Sequence, residues 1–292
     1  MKGYLVVNHF LHSGKFNEIY QWLFEAAKKR EVTLEIKTNA ELMPCLGEEG
    51  HKDAFRDVDF ILFWDKDIRL AKYLESLGCA VYNSAQAIEI CDDKSLTHLA
   101  LQKYDIPMPK TCIAPMTYEN IGYTDDSFVD EVIDKLGLPM VVKECFGSFG
   151  QQVYLCHSKE EVREKITRSV IFQEYIEHSK GRDVRLQVVG NRVICGMYRY
   201  SENGDFRANI TNGGKMKPYE WSEKEEQLAL ESVKAIGLDF AGVDLLFGEN
   251  DQPIVCEVNS NAHFKNIFDC TGVNTADAII DYIVEKQKKK KL

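Results

Sequence analysis

The sequence predicts a mixed architecture, α/β followed by α+β: an N-terminal parallel α/β lobe and then two α+β lobes. Three observations predict it. Short apolar runs alternate with helical patterns over roughly the first 90 residues. Beyond residue 128, helices mix with strands paired through short polar turns. The chain has 292 residues, 45% of them hydrophobic, which is too long for one small domain and apolar enough for real cores.

Taken in order, Tyr4 to Val7 is a short strand, and Phe16 to Arg30 has helical periodicity with Ile19, Leu23 and Ala27 on one face. Val32 to Thr38 reads as a strand and Val58 to Trp64 as a buried one. Ile68 to Leu77 is a helix ended by Gly78, and Ala80 to Asn83 is a further short strand. Strands separated by helices imply a parallel sheet. No GxGxxG follows the first strand, which argues against a dinucleotide site there. Asp92 is placed to cap a helix running to Tyr104, with Leu96, Leu99 and Ala100 as its apolar positions. Pro107 and Pro109 then force extended chain.

Phe128 to Leu136 is helical, Met140 to Glu144 a strand, and a glycine loop follows at Gly147 to Gly150. Gln152 to Cys156 is a strand, Lys159 to Arg168 a helix and Val170 to Tyr175 a strand. Val184 to Val189 and Arg192 to Tyr198 form a hairpin turning at Gly190-Asn191. Glu223 to Ile236 is a helix ended by Gly237. Hairpins among helices point to antiparallel α+β lobes. The expected division is 1–90, 91–176 and 177–292, with no Gly/Ser linker between lobes, so they should pack closely.

Composition narrows the function. With 46 acidic against 36 basic residues the net charge is −10, which repels a phosphate backbone and argues against nucleic acid as a partner. The one basic run, Lys286 and Lys288 to Lys291, reads as a solvated tail. The nine cysteines include no CxxC and mostly sit in apolar runs. They read as small buried hydrophobes in a reducing compartment. No run approaches a signal peptide's apolar core or the ~20 apolar residues of a membrane helix, so a cytoplasmic protein without membrane partners is expected.

The most informative stretch is AGVDLLFGENDQPIVCEVNSN. It reads as two strands, Gly242 to Phe247 and Ile254 to Asn259. Folding about Asn250-Asp251 sets Asp244 opposite Glu257, and Asn259 points from the same face. Val243, Leu245, Cys256 and Val258 would then point into the core. Two facing carboxylates repel unless a cation neutralises them, and hard oxygen ligands at this density suit Mg²⁺ or Mn²⁺. An exposed acidic hairpin face would give the same pattern.

Further upstream, Lys143 ends an apolar strand that runs into the glycine loop, where a lysine and backbone N–H groups can meet phosphates. The loop is not a Walker A sequence. VIFQEYIE ends in Glu174, Tyr175 and Ile176, which can offer backbone groups to an adenine edge and a carboxylate to a ribose. Asp183 and Arg185 share one strand face in GRDVRLQVV, and Arg199, Arg207 and Asn209 follow. Buried arginines need anionic partners, either phosphate and carboxylate ligands or a structural salt-bridge network.

In this order the motifs resemble the ATP-grasp superfamily, and within it the RimK-type carboxylate–amine (alpha-L-glutamate) ligases. The resemblance runs from about Asp92 to Ile283 through DDKSLTHLALQKYDIPMPKT, PMVVKECFGSFGQQV, FQEYIE, GRDVRLQVVG, NGDFRANITNGG, LDFAGVDLLF and EVNSN. It implies two α+β lobes enclosing a nucleotide. Lys94 and Lys143 would contact ATP phosphates, beneath a flap containing Gly147 and Gly150. Glu174 and Tyr175 would hold adenosine, with Asp183 on the ribose side, and Arg207, Ala208 and Asn209 would close over the nucleotide. Asp244, Glu257 and Asn259 would bind two Mg²⁺ ions, with Mn²⁺ as the alternative ion. Arg185 and Arg199 would orient the transferred phosphoryl group.

The implied reaction is ATP-dependent ligation through an acyl phosphate. It joins an amino acid, glutamate first, to an amine or carboxylate acceptor that is a small molecule, a peptide or a protein tail. A homo-oligomer is compatible with this reading. Alternatives are a regulatory ATP-binding module without catalysis, a dipeptide ligase and an amino-acid carrier-protein ligase. Two departures stand out. Gln152 occupies a flap position that is commonly glycine, and Ser260 to Asn266 replaces a small-residue, Pro-Gly stretch. The Phe-Lys-Asn portion of that loop is similar to ligases acting on amino-acid carrier proteins. His263 within it reads as a positioning or packing residue before a base.

Overall fold

The computed structural model describes residues 1–12, 14–47, 55–118, 120–147, 151–166, 169–210 and 213–290. The first sheet contains β1 (Lys2–Val7), β2 (Thr33–Thr38), β3 (Phe60–Phe63) and β4 (Val81–Tyr82), all parallel, in the order β2-β1-β3-β4. Because β3 is apolar at every position, both of its faces can be covered. Helix α1 (Gly14–Lys29) covers one face; α2 (Ile68–Ser76) and α3 (Ala85–Asp92) cover the other.

The second sheet is antiparallel, ordered β5-β8-β6-β7. Its strands are β5 (Thr111–Ile113), β6 (Met140–Glu144), β7 (Val153–Cys156) and β8 (Val170–Glu174). Helices α5 (Phe128–Leu136) and α6 (Lys159–Lys165) pack on one face, around Val142 and Phe172. By strand alternation Val141, Lys143 and Gln173 point to the other face.

The third sheet is antiparallel, ordered β11-β10-β9-β12-β13. It contains β9 (Arg182–Val189), β10 (Arg192–Tyr200), β11 (Lys215–Pro218), β12 (Phe240–Phe247) and β13 (Pro253–Asn259). Helix α7 (Glu223–Ile236) packs on it, started by a Ser222/Glu225 capping box and stopped by Gly237 in the left-handed conformation. The last helices, α8 (Lys265–Thr271) and α9 (Thr275–Lys290), return to the first sheet. Ile279, Ile280 and Ile283 share one core with Leu5, Leu23, Phe240 and Met197. The first and third sheets are therefore joined through a common apolar core.

Four expectations need correction. The helix predicted from Asp92 to Tyr104 is α4 (Lys94–Gln102), capped by Asp93, whose carboxylate accepts from Ser95 N and Leu96 N, while Asp92 is the last residue of α3. Asp92 instead pairs with Lys66. The inner face of α4 carries Thr97, His98 and Leu101, while Leu96 and Leu99 are exposed. Polar groups can sit on that face because each finds a partner there, Thr97 at the Ile90 carbonyl and His98 at the Lys94 carbonyl.

Cys256 is the third correction. The β12–β13 register slips by one residue after the Asp244–Glu257 pair, and this bulge turns Cys256 toward the cleft instead of the core. Finally, the basic run is helical, although Lys288, Lys289 and Lys290 are exposed to solvent as expected. Through Lys290 it forms the end of α9, where Lys286 reaches Asp239 at 2.5 Å and buried Gln287 donates to Tyr82 Oη at 3.1 Å.

Candidate active site

Between the inner face of the second sheet and the third sheet lies a cleft that is partly open to solvent. It brings together Lys94, Lys143, Gly147, Glu174, Tyr175, Asp183, Arg199, Arg207, Ala208, Asn209, Asp244 and Glu257. Gly150 lies outside the described residues. Arg185 and Asn259 are not on the cleft wall but stand beside it.

Strand register explains the charged floor. In adjacent strands Arg199 faces Asp183, Arg185 faces Asp244, and Asp244 faces Glu257. Directly opposed residues share a sheet face. Arg185 grips Asp244 through Nε and Nη2, both at 2.6 Å. Arg199 grips Asp183 at 2.6 and 2.9 Å and reaches Asp244 with Nη2 at 2.9 Å. Burial raises the Asp244 carboxyl, but the Arg185 and Arg199 guanidiniums outweigh it and hold it below its ordinary value. Asp183 goes the other way. Burial and the Asp244 charge outweigh Arg199 and push its carboxyl up. Asp183, expected near a ribose, has both oxygens engaged by Arg199.

Glu257 is about a third exposed, with Lys94 Nζ at 3.5 Å. Lys94 also donates to the Gly147 carbonyl at 3.1 Å, so it bridges the glycine loop and the hairpin. Asn259 Nδ2 is buried with no acceptor among the described residues, a donor that an oxygen-rich ligand such as phosphate would satisfy. Lys143 is only 8% exposed and pairs with no carboxylate among the described residues; Cys256 Sγ lies 3.7 Å from its ammonium. Burial raises the Cys256 thiol, so it does not serve as the counter-charge. A buried ammonium left in this way calls for an anion.

The cleft wall also carries apolar residues, Pro109, Val141, Tyr175, Ile176, Phe206 and Leu246. Tyr175 meets Phe206 edge-on at 6.3 Å. Glu174 accepts from Lys110 N at 2.7 Å, which fixes one of its carboxylate oxygens. Arg207 is folded back on Asp205 at 2.9 Å.

The sequence departures also find their places. Gln152 lies against Gly147, where an added Cβ would stand 2.8 Å from Gln152 Oε1, at the movable end of that side chain. The Ser260 loop crosses Gly242 equally closely, 2.6 Å from an added Cβ to that of Ala262. It is tied to the first sheet by Asn83 at the Ser260 carbonyl and by Asn261 at the Asp65 carbonyl. His263 packs edge-on against Phe16, consistent with a packing role.

Sequence reasoning missed Arg182, Gln173 and Cys256 on the cleft wall, and His98 behind it. Arg182 and Gln173 adjoin residues that were singled out. Cys256 depends on the bulge and His98 on the helix face, and neither is written locally.

No group of three or more His, Cys, Asp or Glu side chains suited to a metal occurs among the described residues. Asp244, Glu257 and Asn259 offer two carboxylates and an amide, which leaves coordination positions for phosphate oxygens and water. The cleft carries five cationic side chains, Lys94, Lys143, Arg182, Arg199 and Arg207, against Glu174, Asp183, Asp244 and Glu257. A nucleoside triphosphate accompanied by divalent cations fits that near balance.

Comparison with known proteins agrees with this geometry. Residues 91–283 match the RimK-like ATP-grasp domain. Human N-acetylaspartylglutamate synthase A is 33% identical over 223 residues, covering 75% of this chain and 56% of that protein, less than two thirds of its length. A probable alpha-L-glutamate ligase of Legionella pneumophila (strain Corby) is 33% identical over 223 residues, covering 74% of this chain and 71% of that one. In structure, the D-alanine–D-alanine ligase of Bacillus anthracis superposes with a TM-score of 0.71 over 99% of this chain and 98% of that one, at 20% identity. No helix among the described residues is long and apolar enough to cross a membrane. The chain belongs to the RimK-like ATP-grasp family of ATP-dependent carboxylate–amine ligases.

Proposed function

We propose that the chain joins the amine of an amino acid, glutamate first, to a carboxylate through an acyl phosphate formed from ATP, with the acceptor a small molecule, peptide or protein tail. The observation that carries this reading is the buried, carboxylate-free Lys143 ammonium beside the Asp244–Glu257 pair. Glutamate is favoured because the names of both relatives described above contain it. The functional division proposed with it is 1–90, 91–176 and 177–292.

Asp244, Glu257 and Asn259 would hold two Mg²⁺ ions, or Mn²⁺, which supply charge neutralisation for the phosphates when bound. Lys143 and Lys94 bind the polyphosphate, and Glu174 and Tyr175 receive the nucleoside. Arg185 and Arg199 keep Asp244 ionised and aimed. The Nη1 donors of Arg199 make no bond to a described residue, so they are available to the transferred phosphoryl group. In the first step a carboxylate oxygen bonds to the γ-phosphorus as the β–γ bridging bond breaks and ADP leaves. In the second step the amine bonds to the acyl carbon, inorganic phosphate leaves and the nitrogen loses a proton. The acyl phosphate must be kept from water while it exists, and the resemblance gives that task to the glycine-rich flap, of which Gly147 is tied to Lys94.

The test is ADP release with Mg²⁺ across a panel of amino acids and acceptors, with products identified by mass spectrometry. Glutamate-dependent ADP release with a matching amide product is expected. Turnover that depends on another amino acid would displace glutamate, and absence of turnover across a broad panel would overturn the reading.

A further inference from the structure

Behind the cleft wall, a short hydrogen-bond chain runs from a backbone carbonyl to a residue that lines it. His98 Nδ1 lies 2.7 Å from the Lys94 carbonyl, and His98 Nε2 lies 2.8 Å from Gln173 Nε2. Gln173 Nε2 is also 2.9 Å from Thr111 Oγ1, whose own hydrogen goes to the Pro109 carbonyl at 2.8 Å. Gln173 lines the cleft between Val141 and Thr111, its neighbours in the sheet.

The protons in this chain can be assigned from its fixed end. A backbone carbonyl only accepts, so His98 Nδ1 must carry hydrogen. Burial outweighs the Lys94 carbonyl bond and pushes the His98 imidazole down to about 4, so at neutral pH it has a single proton. Its Nε2 is then an acceptor, and the Gln173 atom facing it must be the amide nitrogen. Both amide hydrogens are spent, one on His98 and one on Thr111. Gln173 Oε1 receives no hydrogen bond from any described residue, and it belongs to a side chain on the cleft wall. A flipped amide would set oxygen against an unprotonated ring nitrogen, forfeit that bond and draw the Thr111 hydroxyl away from the Pro109 carbonyl.

We propose that His98 is a positioning residue that fixes the Gln173 amide so that its carbonyl oxygen faces the nucleobase, selecting a purine with an amino group at position 6 over one with a keto group. An exocyclic amine donates to that oxygen, whereas a keto oxygen meets it acceptor to acceptor in a dry site. This deepens the nucleotide reading above and rests on it.

The test uses the full chain with Mg²⁺ and two diphosphates that differ at position 6, ADP and IDP, titrated by calorimetry. Wild type should bind ADP at least about tenfold more tightly than IDP, the scale set by one unpaired buried polar group. His98→Phe removes the acceptor that fixes the amide and should shrink the ADP/IDP ratio severalfold by weakening ADP and tolerating IDP. Thr111→Val should shrink it in the same direction, and serves if His98→Phe does not fold. Equal affinities in wild type would overturn the proposal, as would variants that weaken both nucleotides equally, the result a merely structural histidine would give. Absence of binding by either diphosphate would instead overturn the reading of the cleft as a nucleotide site.

Discussion

On the third-sheet side of the cleft, Asp183, Arg185, Arg199 and Asp244 hold one another through charge, in strands whose register sets them face to face. On the second-sheet side, His98, Gln173 and Thr111 hold one another through neutral hydrogen bonds whose direction is set by a backbone carbonyl. Both arrangements are buried, but they fail differently. A charged group that loses its partner strands a charge, which the protein interior penalises heavily. A neutral amide that loses its partner can turn over, so direction is lost before stability. The charged arrangement thus suits phosphate and metal, where strength of field matters. The neutral arrangement suits a base, where the pattern of donors and acceptors matters.

Arg199→Met tests the first half of that contrast and should have the largest effect. It leaves Asp183 and Asp244 buried with only Arg185 between them. Urea unfolding should show a loss of about 3–5 kcal/mol. A loss under about 1 kcal/mol would mean that the network is not what holds this part of the sheet.

Glu257→Gln sharpens the contrast by separating activity from stability. Its pairing with Lys94 at 3.5 Å is partly solvated and worth little to the fold. Unfolding should change by less than about 0.5 kcal/mol, whereas turnover should fall at least about a hundredfold because a metal-site charge is removed. Turnover near the wild-type rate would sink the assignment of Glu257 to the metal site.

These variants target residues that were unevenly legible in the sequence. The β12–β13 hairpin could be read directly, because alternation and turn residues are local properties, and Asp244 does face Glu257. The Cys256 bulge could not, since a slip of one residue is settled by what packs on both faces of the sheet. Arg185 and Arg199 were legible as arginines in need of anions. That those anions are Asp244 and Asp183 depends on β9 lying between β10 and β12, a matter of sheet order. His98 and Gln173 are 75 residues apart, and no local pattern links them.

The neutral arrangement also predicts a pH dependence. The His98 imidazole titrates near 4 in the folded chain, against about 6.5 when unfolded. Below 6.5 the unfolded chain takes up a proton that the folded chain refuses, so stability falls as pH drops. The contribution is complete above about pH 6.5 and should have lost about 2 kcal/mol by pH 5. Comparing wild type with His98→Phe by urea unfolding at pH 7 and pH 5 isolates it. An equal pH effect in both proteins would show that His98 is not the group responsible.

The smallest effect is expected on the outer face of the helix that carries His98. Hydrophobic periodicity alone sets Leu96 and Leu99 inward, yet Leu99 is 56% exposed while Thr97, His98 and Leu101 are buried. The helix lies between the second sheet and α7, and it spends its inner positions on groups that meet Ile90, Lys94 and Gln173. Leu99→Gln should therefore change unfolding free energy by no more than about 0.5 kcal/mol, since Leu and Gln have similar helix propensities and no packing is lost. A loss above about 2 kcal/mol would mean that Leu99 is packed after all. The helix would then be rotated, His98 would leave Gln173, and the directional hydrogen-bond chain behind the cleft wall would go with it.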